Sequence, residues 1–212
     1  MGVIKQGILG GFRGSVANVV GSSWKGIAVM KSKPLSVANP RTAGQVTNRQ
    51  SFSAVVAFAT IILSTIIKPL LDRIAVQMSG YNFFMSLNKS LFDVTGLIVP
   101  EDLVISKGTV TGVSNLCTVA DDSNETILLT WDNNTGVGDA LIGDILFSCH
   151  YNEALGEVVA GLCTGGRGDA TVSDPLPVNW VAGHPIHTWA AFRRADGTRS
   201  SNTAYKAGNI AS

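Results

Sequence analysis

Two hydrophobic periods divide the chain. Between Thr42 and Phe92 apolar residues recur at helical spacing; from about Leu103 onward they recur at every second position. Phe52, Val55, Val56, Ala59, Ile62, Leu63 and Ile66 follow an i, i+3, i+4, i+7 stripe. Thr42-Ala43-Gly44-Gln45 offers a capping box, so a helix is predicted from Ala43. Ala57, Phe58 and Ile61 lie off the stripe, which predicts a helix buried on most sides, with neighbouring chains covering part of it. Pro69 has no amide hydrogen and crowds the preceding turn, so a kink or an end is expected near Lys68. Leu70–Met78 is predicted to carry a second helical piece that Gly80 breaks. Tyr81–Phe92 is predicted as a third helix, with Phe84, Leu87 and Leu91 on one face.

The period-two region predicts strands at Leu103–Thr111, Leu116–Ala120, Thr126–Trp131, Ala140–Tyr151, Glu157–Cys163, Ala170–Ser173, His187–Arg193 and Ala204–Ala207. Short strands separated by frequent turn signals predict a β-sandwich whose order resembles an immunoglobulin-like or fibronectin III domain. Trp131 is expected to plug its core, with Trp189 as the facing aromatic. Asp196-Gly197 predicts a tight turn joining the last two strands.

The first forty residues follow neither period cleanly. Val16, Val19, Val20, Trp24, Ile27, Val29 and Met30 are strand formers punctuated by Gly14, Gly21 and Gly26. The expectation is a β ribbon without a clean core of its own, which gains most by adding to another sheet. The fold class is therefore α+β: a Gly-rich β arm over 1–40, an apolar helical segment over 41–99 and an immunoglobulin/fibronectin III-like sandwich over 100–212.

Charge sharpens this division. Residues 1–71 carry eight bases and no acid, whereas residues 101–174 carry twelve acids against Lys107 and Arg167, within a net charge of only +1. A chain so segregated can pair head to tail with its copies or set its basic end on nucleic acid. Charged residues make up 15% of the chain, against about 25% in typical domains, which suggests a covered surface. Eighteen uncharged residues from Gln50 to Ile67 reach only the lower bound for a membrane span of about 20 residues. Ser51, Ser53, Thr60, Ser64 and Thr65 weaken that reading, and no span is expected. Cys117, Cys149 and Cys163 lack disulfide or metal spacing and are expected as reduced, buried thiols. The glycine-broken start is not a secretory signal. The expectation is synthesis in a bacterial cytoplasm, with a virion or other assembly as the final location.

Candidate chemistry is sparse. Gly10-Gly11-Phe12-Arg13-Gly14 lacks the strand, helix and Lys-Ser/Thr of a nucleotide loop. His150, His184 and His187 have no nucleophile elbow or metal-ligand spacing around them. Asp132–Asp139 is oxygen-rich but has only two acids and no closing glutamate, so a loop between strands explains it better than calcium. Arg167-Gly168-Asp169 matches a cell-adhesion tripeptide and is also an ordinary Gly-rich turn. No catalytic residue, metal site or cofactor is predicted, and the protein is expected not to be an enzyme.

The stretches Ile4–Gly14, Val19–Gly26, Asn39-Pro40-Arg41-Thr42 and Thr130–Gly138, with the closing hairpin, resemble a family of small Bacteroidota proteins catalogued as a domain of unknown function. The resemblance covers nearly the whole chain and implies no activity. The arm opening followed by an Asn-Pro-Arg-Thr helix start is also similar in style to small phage structural proteins. These features together predict a structural subunit that assembles with copies of itself, in a virion, phage-like particle or filament, with other structural proteins as further partners. Its interface would comprise Gly7, Gly10, Gly11 and Gly14 for close backbone approach, Phe12 and Trp24 as anchors, and Phe58 and Ile62 from the apolar helix. A second reading is a monomeric or dimeric binding module using the sandwich loops at Asp132–Asp139 and Gly165–Asp169. A third is a nucleic-acid-associated protein, with Lys5, Arg13, Lys25, Lys31 and Lys33 on phosphates.

Overall fold

The structure, a computed structural model, describes residues 3–4, 11–24, 27–36, 39 and 41–212. It is α+β and divides into two compact units, Met1–Thr42 and Ala43–Ser212.

The first unit is a four-stranded antiparallel meander: β1 (Val3–Ile4), β2 (Phe12–Val16), β3 (Val19–Trp24) and β4 (Ile27–Ser32), in that spatial order.

The second unit begins with α1 (Ala43–Ile61). Residues 43–50 have no buried position, and packing starts at Ser51. Val55, Phe58 and Ala59 face inward, while Phe52 and Ile61 are 48% and 56% exposed. The helix is thus one-sided, not buried on most sides as its composition suggests. The break comes at Ile62, earlier than the expected Lys68. Ile66 and Ile67 both donate to the Ile62 carbonyl, at 2.9 and 3.0 Å, and a π-helical turn spans Leu63–Ile67. Pro69 then sits in the first turn of α2 (Lys68–Leu71), directly after the π turn, whose ladder ends with the Lys68 amide on the Leu63 carbonyl. Among the described residues no single helix is long and apolar enough to cross a membrane; α1 and Leu63–Leu71 pass that test only together, bent by 67°. Gly80 opens α3 (Gly80–Asn88) instead of ending a helix. Ser79 caps it, and the Gly80 amide donates to the Asp72 carboxylate at 2.7 Å. A Cβ on Gly80 would lie 2.8 Å from the Asp72 nitrogen, so this approach requires glycine.

Seven strands follow: β5 (Ser114–Asp121), β6 (Thr126–Asp132), β7 (Ile145–Asn152), β8 (Glu157–Ala160), β9 (Thr171–Pro175), β10 (Pro185–Arg193) and β11 (Ala204–Ala211). They form one sheet in the order β8-β7-β10-β11-β5-β6-β9, antiparallel except for the β11–β5 pair. The sheet curls, so that Ile127, Leu129 and Trp131 of β6 share one core with Leu146 of β7 and Ile186, Ala190 and Phe192 of β10. The outer face of β7 and β10 carries Phe147, Cys149, Tyr151, Trp189 and Ala191 into a second core with the helices. There the Phe58 ring lies 5.4 to 6.4 Å from Phe84, Phe92, Tyr151 and Trp189. The helical segment and the sheet therefore share one core.

Strand alternation corrects the expected aromatic pair. Phe192 faces Trp131 at 5.9 Å, whereas Trp189 points to the helical layer and its indole N–H donates to the Pro100 carbonyl at 2.9 Å. Leu103–Thr111 is not a strand. Gly197, at φ +69°, occupies the expected turn before β11, although that strand begins only at Ala204.

Candidate functional site

Among the residues whose burial is described, the N-terminal ribbon has no interior. Across residues 11–42, the one buried position among those whose burial is described is Gly21. A Cβ there would strike the Phe12 carbonyl and ring, so glycine lets β2 lie close on β3. Val16, Ile27, Val29 and Met30 are 50%, 61%, 41% and 68% exposed, and every residue of β4 is exposed.

β4 is also an open edge among the described residues. Lys33 donates to the Asn18 carbonyl at 2.7 Å, extending the β3–β4 ladder by one pair. Antiparallel alternation then turns the backbone groups of Ile27, Val29 and Lys31 toward β3 and those of Ala28, Met30 and Ser32 outward. Arg13, Lys31 and Lys33 are exposed and form no ion pair among the described residues.

The other expected interface residues divide. Gly11 is exposed, Phe12 is half-buried and Gly14 has φ +104°. Gly7, Gly10, Lys5 and Lys25 lie outside the described residues, as does the Trp24 side chain, although β3 pairs Trp24 with Ile27. Phe58 and Ile62 are 6% and 0% exposed, buried in the core of their own unit. They are therefore not an interface: Phe52 and Ile61 are what the helix offers outward.

Two buried polar groupings lie within the curled sheet. In the first, Asp144 accepts from Arg167 Nε at 3.1 Å and Nη2 at 3.0 Å, and from Arg194 Nη1 at 3.1 Å. Arg167 also donates to the Thr111 carbonyl at 2.7 Å and to Asn134, and its guanidinium stacks 3.9 Å from the Phe192 ring centre. Burial lowers its pKa, and the bonds to Asp144 oppose that shift. With Arg167 sealed, Arg167-Gly168-Asp169 is a structural turn and not a displayed adhesion motif. Asp139 is likewise committed. The Thr111 amide holds it below the usual carboxylate range, with Arg194 and Arg199 beside it. The Asp132 carboxylate accepts from Asn115. Among the described residues no cluster of His, Cys, Asp and Glu could hold a metal ion.

The second grouping was not legible in the sequence. His150 Nε2 lies 3.0 Å from Asp174 Oδ2, and its Nδ1 lies 3.0 Å from Thr188 Oγ1. Ser148 donates to the same Asp174 oxygen at 2.6 Å, and the Leu162 amide donates to the other at 2.7 Å. Burial pushes the Asp174 carboxyl up, but the bonds from His150, Ser148 and Leu162 outweigh it and leave the pKa lowered. Hydroxyl, imidazole and carboxylate in contact evoke nucleophilic catalysis. Yet Ser148, His150, Asp174 and Thr188 are all at most 1% exposed, which denies a substrate contact with either hydroxyl. They brace three strands, β7, β9 and β10. The available signal was the inward register of Ser148, His150 and Asn152 along β7, polar positions that require buried partners.

The cysteines correct one expectation: Cys149 is buried and Cys163 half-buried, with both thiols pushed up by burial, but Cys117 is exposed on β5.

Residues 11–207 match a family of unknown function (DUF6266), and the chain belongs to that family. No curated protein and no solved structure matches it.

Proposed function

We propose that this family member is a non-enzymatic structural subunit that assembles with copies of itself through its N-terminal ribbon, in a virion, phage-like particle or filament. The observation that carries this reading is a sheet with one buried residue among those whose burial is described, a glycine, and exposed Ile27, Val29 and Met30 beside an edge that is open among the described residues. Sheets of this size need a covered apolar face for stability. The eight bases and no acid of residues 1–71, against the acidic 101–174 stretch, favour a second copy as the cover. The curled sheet on this reading is immunoglobulin- or fibronectin III-like. Lettering β5 to β11 as A, B, C, C′, E, F and G reproduces the C′CFG and ABE halves of such a sandwich, joined by the β11–β5 pair.

Light scattering and negative-stain imaging of the full chain test the reading. Discrete particles or filaments are expected, and their loss on deletion of residues 1–42, with the remainder still folded, ties assembly to the ribbon. A monomer at both low and high salt overturns it.

A second reading, a ligand-binding module, is favoured by one observation. Val137, Leu141 and Ile142 are 60%, 56% and 67% exposed in one loop, and Leu141 and Ile142 line a depression of about 380 Å³ with Arg194 and Asp196. Saturable ligand binding by a lone protomer, lost in Ile142→Asp, would support it.

A further inference from the structure

Among the described residues the curled sheet also has an open edge at β8, which pairs with β7 alone. The Gly161 amide donates to the Ser148 carbonyl at 2.9 Å, one pair beyond Cys149↔Ala160. By antiparallel alternation Glu157 and Val159 turn their backbone groups to β7, while Val158 and Ala160 turn theirs outward. Neither outward pair has a hydrogen-bond partner among the described residues. The Val158 side chain points into the helical core, so α1 lies over the face of β8 and leaves its edge free. Between them runs a groove of about 230 Å³, lined by Ala54, Ala57 and Ile61 of α1, by Gly156 and Val158, and by Tyr151. The small alanines leave the room, and Ile61 remains 56% exposed beside it.

Resting on the assembly reading above, we infer that this groove is the acceptor for the ribbon of a second copy, whose β4 adds to the β8 edge by strand addition. The chemistry of the two edges is complementary. β4 carries outward backbone groups at Ala28, Met30 and Ser32, apolar side chains on both faces, and Lys31 and Lys33 beyond them. Around β8 stand three acids: Glu153, 56% exposed and paired with His187; Glu157, which accepts from Asn179 and Trp180; and Asp93, which accepts from Thr95. Strand addition gives both edges their missing hydrogen bonds and lets apolar side chains of β4 enter the groove. Because a donor edge meets a different acceptor edge, the contact is heterologous and propagates head to tail, as a ring or a filament.

The test uses two full-length chains in a Cys117→Ser/Cys163→Ser background, one with Met30→Cys and the other with Ala160→Cys. Mixed under mild oxidation, they are expected to give a disulfide-linked heterodimer in at least about tenfold excess over either homodimer, because only the mixture places both thiols across the contact. Hydrogen exchange on the unmodified chain, above and below its assembly concentration, covers the case in which a variant misfolds. The amides of Val158, Ala160, Ala28 and Met30 are expected to slow on assembly, roughly three- to tenfold per bond gained. The Val159 amide, already bonded to β7, is expected to stay unchanged. If the protein assembles but the cross-link is absent and these amides keep their rates, the β8 acceptor is overturned while the assembly reading survives. If a chain carrying both cysteines closes on itself as a monomer and the mixture does not link, the ribbon belongs to its own chain and the inference fails. If no assembly is seen at any concentration, the assembly reading itself falls and takes the acceptor with it.

Discussion

Strands β4 and β10 have similar apolar content and opposite fates. Ile27-Ala28-Val29-Met30-Lys31-Ser32 is exposed at every position, whereas Pro185–Arg193 is buried at seven of its nine. β10 has β7 on one side, β11 on the other, a helical layer above and the facing half of its own sheet below. β4 has β3. Composition makes both of them strands; the number of layers around them decides whether their apolar area contributes to stability. A strand with one neighbour is therefore either an economy of the fold or a surface awaiting its second neighbour, and the two cases respond differently to substitution.

The sharpest contrast comes from charge. Asp144→Ala leaves Arg167 and Arg194 buried without their shared carboxylate, and is expected to cost about 3–5 kcal/mol in denaturant unfolding of the second unit. A loss below about 1 kcal/mol would mean that water or Asp139 replaces Asp144, and that the interior is less closed than its burial implies. Arg13→Ala, on the ribbon, breaks no ion pair described for that residue and is expected to leave the same transition in place.

A smaller loss tests what the sequence hid. Leu103 and Ile105 are buried with Val104 half-buried between them, but Ser106 is buried and Lys107 exposed, so a strand's alternation holds over 103–105 only, and without a strand's ladder. Side chains take the place of a partner strand: the Asn88 amide group holds the Val104 carbonyl and N–H at 2.9 and 2.8 Å, and Thr203 Oγ1 accepts from Ile105 and Ser106 at 3.0 Å each. Period two reports a face, not the hydrogen-bond partner, and so it predicts a strand here where no partner strand lies. Most other strands were legible because alternation and turn residues coincide there, as at Thr126–Trp131 and Asp196-Gly197. The polar groupings were not, because Arg167, Asp144 and Arg194, like His150 and Asp174, meet only through tertiary pairing that no local spacing encodes. The apolar ribbon was legible in its lack of a clean period; the fully exposed edge was not. Asn88→Ala should cost about 1–3 kcal/mol by leaving the Val104 groups unpaired. Asn88→Asp, which keeps an acceptor for the Val104 amide but turns a carboxylate oxygen toward the Phe84 and Val104 carbonyls at a fully buried position, should cost at least as much.

Acid probes the second brace. The Asp174 pKa is depressed in the folded state, so its stabilising contribution is full above the ordinary unfolded carboxylate pKa and is lost as pH falls through the lower folded value. Unfolding midpoints of the second unit are expected to fall across that acid window. Asp174→Asn should start lower at neutral pH and show a shallower decline over the same range. An equal slope in both proteins would assign the acid sensitivity to other carboxylates.

The smallest expected effect separates the two strands most cleanly. Met30→Lys replaces a side chain that is 68% exposed on an open edge, and exposed substitutions of this kind usually move stability by less than about 0.5 kcal/mol. The unfolding midpoint of the second unit should therefore stay where it is. Ala190→Lys on β10, at 0% exposure, should prevent folding. If assembly runs through β4, Met30→Lys nevertheless disperses the particles, because an added charge on an edge strand is the device by which β proteins prevent edge pairing. A lower midpoint in dilute monomer would place the ribbon inside the cooperative unit of its own chain. An unchanged midpoint with assembly lost is the signature of a strand whose second neighbour is another molecule.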